Sequence, residues 1–195
     1  MKMANSDEYC GTLYAAKLLG LSVGTVQTLV GTSELNAWKT QGGHRRISMA
    51  SIRQYQRKNG LAETPEAGQF LKLLVVEDDE ALLEVFKSTV DSWTFPVDVT
   101  PMSSALDALI DIHALQPDVL ITDLKMPGVD GFELLRTLRA NAGFSSMVLV
   151  SMTELSPAEV ADRGGLPANT VTAQKPVDMR WLRGFLAAMV AFRQI

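Results

Sequence analysis

Three short apolar runs and a fourth segment in this chain each lead to a polar or charged side chain, and that arrangement constrains the fold more than any other feature. Leu73-Leu74-Val75-Val76 stops at Glu77-Asp78-Asp79, and Val119-Leu120-Ile121 runs through Thr122 to Asp123. Met147-Val148-Leu149-Val150 stops at Ser151, and Thr170-Val171-Thr172-Ala173 leads to Lys175 and Pro176. Short runs of this kind read as strands buried on both faces. Helical stripes separate them: Leu82, Leu83, Phe86 and Val90; a Ser104-capped helix through Ala105 and Leu109 to about 115; Leu134, Leu135 and Leu138 behind Gly131; a short helix within 157–167; and Leu182, Phe185, Leu186 and Met189 in a last helix over 178–194. With Val97-Asp98-Val99 as a further strand, strand and helix alternate five times. The alternation implies a parallel sheet with helices on both faces, and right-handed crossovers make it a doubly wound α/β domain.

In open α/β sheets the ligand crevice lies outside the carboxyl ends of the strands, which is where the terminal polar residues collect. Glu77, Asp78 and Asp123 converge there if their strands are parallel neighbours. Carboxylates a few ångströms apart raise one another's pKa, and a hard divalent cation with oxygen ligands, Mg²⁺ or Mn²⁺, relieves the repulsion. Pro127 and Gly128 force a turn directly after Asp123. The Ser151 hydroxyl and the Lys175 ammonium join the acids at the same edge.

The charge is unevenly divided. Residues 1–60 hold eight Lys/Arg against three acids, whereas the rest of the chain holds ten against nineteen. A basic head on an acidic body points to two domains with different partners, and a basic head suits nucleic acid. Composition also narrows the setting. Cys10 is the lone cysteine, so no intramolecular disulfide forms, and the longest uninterrupted apolar run, 185–192, falls far short of the roughly 20 residues a membrane span needs. A soluble cytoplasmic protein without a membrane partner is expected.

In the head, Thr12 is placed to cap a helix over 13–19, Gly20-Leu21-Ser22 makes a turn, and Ser22 caps a second helix over 23–30. Val23, Val26 and Val30 face inward, leaving Gly24, Thr25, Gln27 and Thr28 outward. Two short helices about a Gly turn make helix-turn-helix geometry; Gln reads adenine, and Thr reaches phosphate or a thymine methyl. A strand over 35–39, the Thr40-Gln41-Gly42-Gly43-His44 turn and a returning Arg45-Arg46-Ile47 strand form a wing before a last helix ending near Lys58. Lys39, His44, Arg45 and Arg46 would meet the phosphate backbone or a minor groove. A hairpin brace is the competing role for His44. Residues 59–69, with Gly, Pro and acids but no periodicity, read as a linker between domains over 1–58 and 70–195.

Two resemblances follow from these motifs. Ala-Ala-x-Leu-Leu-Gly-Leu-Ser-x-x-Thr-Val with Gly-Gly-His-Arg-Arg-Ile resembles the MerR and excisionase type of winged helix-turn-helix. The acidic pair, Asp-x-x-Met-Pro-Gly-x-Asp-Gly, the hydroxyl at Ser151 and Lys-Pro, in that order, resemble the receiver (CheY-like) domain of two-component response regulators. The second resemblance implies a flavodoxin-like five-stranded sheet of order 2-1-3-4-5. It also implies Asp123 as phosphoacceptor from a sensor histidine kinase or phosphotransfer protein, and metal ligands Asp78, Asp123 and the Lys125 carbonyl with Glu77 acting through water. Lys175 and Ser151 would bind the phosphoryl group.

Two positions depart from that pattern: Thr172 stands where most receivers carry an aromatic, and Met152 where they carry a small residue. Both lie on the signal-transmission path. Trp181, Gly184, Ala188, Ala191 and Ile195 form a second face on the last helix and are the candidate dimer contact. The resulting expectation is a transcriptional regulator, homodimeric when phosphorylated on Asp123, that binds a double-stranded operator. No enzymatic activity is expected beyond the receiver's own phosphorylation and dephosphorylation. The competing expectation is a phosphorylation-independent DNA-binding regulator whose receiver is a constitutive dimerisation or docking module.

Overall fold

The computed structural model describes residues 8–61 and 70–193, and the chain divides into compact units at Met1–Gln69 and Phe70–Ile195. Most of the expected linker and the Ile195 position of the candidate dimer face lie outside the described residues. No single described helix is long and apolar enough to cross a membrane.

The first unit holds β1 (Tyr9–Gly11), α1 (Thr12–Leu19), α2 (Val23–Gly31), β2 (Ala37–Lys39), β3 (Arg45–Ser48) and α3 (Met49–Asn59). Its three strands pair antiparallel in the order β1-β3-β2. Cys10, Ala15, Val26, Leu35, Ile47 and Ile52 fill its core. Thr12 is not the cap of α1: the N-cap is Gly11, with no side-chain cap bond, because β1 runs directly into the helix. Ser22 does cap α2, accepting from the Thr25 amide, and Gly20 closes α1 in the left-handed conformation at φ +65°, which a glycine adopts without a Cβ penalty. β2 starts at Ala37 rather than Leu35, whose side chain is buried in the core. Among the outward positions expected on α2, Gly24, Thr25, Gln27 and Thr28 are all exposed, while Leu29 shares the buried side with Val26.

The second unit runs β4 (Leu71–Val76), α4 (Glu80–Asp91), β5 (Val97–Met102), α5 (Ala105–Leu115), β6 (Val119–Asp123), α6 (Gly131–Ala140), β7 (Val148–Thr153), α7 (Pro157–Asp162), β8 (Thr170–Gln174) and α8 (Met179–Arg193), with a turn of 3-10 helix at Ala142–Phe144. The sheet order is β5-β4-β6-β7-β8, every pair parallel, which in the numbering of this unit is 2-1-3-4-5. This is the doubly wound fold expected. β5 extends to Met102, well past the expected Val99, and α7 stops at Asp162, where Gly164 and Gly165 take positive φ.

Register fixes what each face of the sheet carries, because side chains alternate along a strand and residues in register share a face. Asp123 pairs with Met152, and Met152 with Ala173; Thr122 pairs with Ser151, and Ser151 with Thr172. The first set lies on the side covered by α4 and α8, where Met152 and Ala173 join Leu83, Phe86, Val90, Leu182, Leu186 and Val190 in one core. The second set lies on the opposite side.

Gly131 sets the distance between α6 and the end of β6. A Cβ placed on it would sit 1.9 Å from the Asp123 carbonyl oxygen and 2.8 Å from Leu124 Cα, both backbone atoms that cannot rotate away. Gly131→Ala is therefore expected to destabilise the domain by about 1–3 kcal/mol or more, as overpacking does. A denaturant midpoint unchanged from wild type would contradict this close approach.

Candidate functional site

At the carboxyl edge of the sheet the chain's backbone turns away into loops, and the last residues of three strands are left side by side. Glu77 follows β4, Asp123 ends β6, and Lys175 follows β8. Lys175 Nζ donates to Glu77 Oε2 at 2.7 Å and to Asp123 Oδ2 at 2.7 Å. The side chains of Lys175, Glu77 and Asp123 are 15%, 3% and 11% exposed in these ion pairs, so the ammonium is largely shielded from water. The Lys125 amide donates to Asp123 Oδ1 at 3.1 Å, which fixes the second carboxylate oxygen. Leu124 N–H donates to the Met152 carbonyl and Lys175 N–H to the Thr153 carbonyl, so the backbone ties the ends of β6 and β8 to β7 between them.

The electrostatics follow from this crowding. Burial drives the Glu77 carboxyl above its usual range, and the hydrogen bond and charge of Lys175 only partly oppose that. Burial alone would lower the Lys175 ammonium, but hydrogen bonds and charge from Asp123 and Glu77 outweigh it and hold the lysine above its ordinary value. Lys175 therefore stays protonated as the counter-ion of the cluster.

Asp78 is exposed and completes the acidic set: Glu77, Asp78 and Asp123 can each offer one oxygen with all of these atoms within 4.8 Å of one another. An all-oxygen donor set with multiple carboxylates fits a hard divalent cation such as Mg²⁺. Asp79, the third residue of the acidic run, does different work. Its carboxylate caps α4, accepting from the amides of Ala81 and Leu82. Asp130 likewise caps α6 through the Glu133 amide. Neither cap was foreseen from the sequence, although an Asp immediately before a helical stripe is the signal that identifies one.

Ser151 does not join the acid cluster. It is fully buried, and its hydroxyl donates to Thr172 Oγ1 at 3.2 Å and lies 3.4 Å from the Val171 carbonyl. The register explains this: Ser151 and Thr172 share one sheet face and Asp123 occupies the other. Thr172, at the position where an aromatic was absent, is thus the hydroxyl's present partner. Met152, fully buried, sits in register beside Asp123 and belongs to the α4–α8 core.

The second candidate surface is in the first unit. Lys39 and Arg45 face each other across the β2–β3 pair beside the hairpin tip, Lys39 exposed and Arg45 half-buried. The tip is locked by Thr40, whose hydroxyl accepts from the His44 amide and whose amide donates to the His44 carbonyl. The His44 ring lies against Gly42, close enough that a Cβ there would be 3.5 Å from it, which suits the bracing role. Arg46 departs from the expectation that it contacts DNA: it is 3% exposed, because it lies on the central strand between Gly11 of β1 and Trp38 of β2. Gln27, Thr25 and Thr28 are exposed on α2.

On the candidate dimer face, Trp181 is 41% exposed and stacks on Phe185 at 5.4 Å. Gly184 and Ala188 are exposed beside it, and Phe192 further along α8 is 78% exposed.

Comparison with known proteins places both units. A response regulator receiver domain model matches residues 73–183, and a helix-turn-helix domain model matches residues 13–60. The chain is 30% identical over 119 residues to "Regulator of RpoS" from Escherichia coli K12, covering 60% of this chain and 34% of that protein. It is 31% identical over 83 residues to "DNA-binding response regulator MtrA" from Mycolicibacterium paratuberculosis, covering 43% and 36%. The chain thus spans about a third of the length of these curated relatives. Among solved structures, the receiver domain of a DNA-binding response regulator (merR) from Colwellia psychrerythraea 34H matches with a TM-score of 0.56 at 22% identity, covering 62% of this chain and 98% of that one. A putative response regulator from Chloroflexus aurantiacus matches with a TM-score of 0.55 at 24% identity, covering 63% and 98%. At these identities the two structures speak to the fold alone. The receiver model spans more than half the chain, and the chain belongs to the response regulator receiver domain family, with a helix-turn-helix domain ahead of its receiver.

Proposed function

We propose that this protein is a DNA-binding transcriptional regulator switched by phosphorylation of Asp123. The observation that carries the reading is the Lys175 ammonium held 2.7 Å from both Asp123 and Glu77 at the carboxyl edge of the sheet. An Asp123 oxygen attacks the phosphorus of a phosphohistidine on a sensor histidine kinase or phosphotransfer protein. The P–N bond breaks, the imidazole leaves with a proton, and an acyl phosphate forms on Asp123. Asp78, Asp123 and the Lys125 carbonyl, with Glu77 acting through water, would hold a divalent ion, which when bound would supply positive charge to offset that of the transferring group.

The protein's own groups then rearrange. Phosphorylation concentrates about −1.5 to −2 charge at one point. Lys175 exchanges the Asp123 carboxylate for phosphoryl oxygens, and Ser151 leaves Thr172 to donate to one of them. Breaking the Ser151–Thr172 bond changes β8, and α8 follows that strand, so the proposed dimer face around Trp181, Gly184 and Ala188 lies downstream of the switch. Two paired heads reach two half-sites and gain affinity through effective concentration.

A second reading has its own support: the bulky Met152, in register with Asp123, is packed into the α4–α8 core, which suits a receiver that acts as a constitutive dimerisation or docking module.

Wild-type protein incubated with Mg²⁺ and a small-molecule phosphodonor is expected to gain the mass of one phosphoryl group, and Asp123→Asn to gain none; labelling of the variant would move the acceptor elsewhere. Sedimentation at micromolar concentration should report a monomer that becomes a dimer with beryllofluoride and Mg²⁺, and Trp181→Ala should remain a monomer. A dimer in both states would favour the constitutive module. Thr172→Val removes the partner that holds Ser151, so the phosphorylated response should become easier by about 2–10-fold, the equivalent of one hydrogen bond. The check is the concentration of dimer as a function of beryllofluoride; an unchanged curve would exclude Thr172 from the switch.

A further inference from the structure

The outer face of α2 carries an unusual combination of properties for a helix that enters a DNA groove. None of residues 21–33 is Asp, Glu, Lys or Arg. The exposed positions are Gly24, Thr25, Gln27, Thr28 and Gly31. Lys39 and Arg45, beside the hairpin, are positioned to meet phosphates, so α2 is left to the bases.

The hydroxyls on that face are already engaged. Thr25 Oγ1 is hydrogen-bonded to Ser22 Oγ at 2.8 Å, and Ser22 Oγ also accepts from the Thr25 amide at 3.0 Å. Thr28 Oγ1 donates to the Gly24 carbonyl at 3.1 Å. Each threonine therefore has its hydroxyl engaged locally, which leaves the methyl as the group without a hydrogen-bonding role on this exposed face. Gln27 is the exposed side chain whose amide is not tied up in a hydrogen bond among the described residues. Gly24 and Gly31 add no bulk, and a Cβ at Gly31 would meet nothing within 4 Å, so the helix can sit close to a groove floor.

Base edges in the major groove discriminate among these groups. Guanine is read chiefly by Arg or Lys and cytosine by Asp or Glu, and α2 has none of them. Adenine offers N7 and N6 to the bidentate amide of Gln or Asn, and thymine offers a methyl to apolar contact. From the juxtaposition of a free Gln27 amide with the Thr25 and Thr28 methyls on an uncharged helix, we infer that α2 selects A·T base pairs: Gln27 reads an adenine, and the threonine methyls read neighbouring thymines. The inference rests on the reading of the first unit as a duplex-DNA-binding head.

The test is selection of binding sites from random duplex DNA with the full-length protein, in the presence and absence of beryllofluoride and Mg²⁺. Enrichment of sites with adenine and thymine at adjacent positions is expected. Gln27→Ala should lose discrimination at a single base pair by about tenfold, the size of a bidentate contact. Replacing the thymines of the enriched site by deoxyuridine, which lacks only the methyl, should weaken wild-type binding several-fold. Thr28→Ser keeps the hydroxyl bond to Gly24, and it should remove part of that deoxyuridine sensitivity. Salt-sensitive retention of duplex with no base preference, a G·C pair at the Gln27-dependent position, or indifference to deoxyuridine would each overturn the inference while leaving DNA binding standing. Failure to retain any duplex would remove both.

Discussion

The Lys175 ammonium between Glu77 and Asp123 is the interaction on which the receiver depends. It joins side chains from three strands that are adjacent or near-adjacent only in the folded sheet, bridging residues 98 and 52 positions apart in sequence. Taking such charges out of water is costly, and the cost is offset only because each carboxylate finds a donor and the ammonium finds two acceptors. Remove the lysine and two partly buried carboxylates face each other without a counter-ion, a situation that costs about 3–5 kcal/mol when a buried pair loses one partner. In the proposed chemistry the same crowding would be useful: a carboxylate whose charge is already compensated by the Lys175 ammonium would accept a phosphoryl group and pass that counter-ion to the product.

The sheet register separates chemistry from transmission. Asp123 and Met152 share a face with the α4–α8 core, while Ser151 and Thr172 share the other. In the proposed switch a change at Asp123 would have to draw the Ser151 hydroxyl away from Thr172 on the other face. Thr172 supplies a hydrogen bond where bulk is the usual occupant, so resting-state order at this position comes from a directional bond between two hydroxyls. Met152 places a flexible, polarizable side chain next to the acceptor and in continuous packing with α8. Met152 lies with Asp123 on the α4–α8 side of the sheet, and Thr172 lies with Ser151 on the opposite side.

Much of this was legible in the sequence, and the failures have identifiable causes. Buried parallel strands announce themselves as apolar runs, so β4, β6 and β7 and the residues that terminate them could be read directly; the alternation with helical stripes implied a parallel doubly wound sheet, whereas the strand order came from the resemblance to receiver domains. What local pattern could not reveal was where a side chain points once strands are paired. Ser151 was grouped with the acids because it ends a strand at the same edge, yet the pleat turns it to the other face. Arg46 reads as a wing cation, but the central strand of a three-stranded sheet has both flanks covered, and β1, only three residues long, gave no signal of its own to reveal that. Asp79, the third residue of the acidic run, is a helix cap, because the helix starting at Glu80 competes for its carboxylate.

The two units apply different physics to one task. In the proposed reading the head would bind through a few cations beside a hairpin and an uncharged helix, so a single copy would neutralise few phosphates and hold DNA weakly. Phosphorylation of Asp123, as proposed, would add about −1.5 to −2 charge to the receiver's cluster. The measurement that tests their connection most directly is the affinity of the full-length protein for its operator with Mg²⁺, with and without beryllofluoride, in wild type and in Asp123→Asn. The account requires beryllofluoride to tighten wild-type binding by at least tenfold and to leave the variant at the weak, unactivated value. Equal affinity in the presence and absence of beryllofluoride for the wild-type protein would contradict it, and would assign the receiver to assembly rather than to switching.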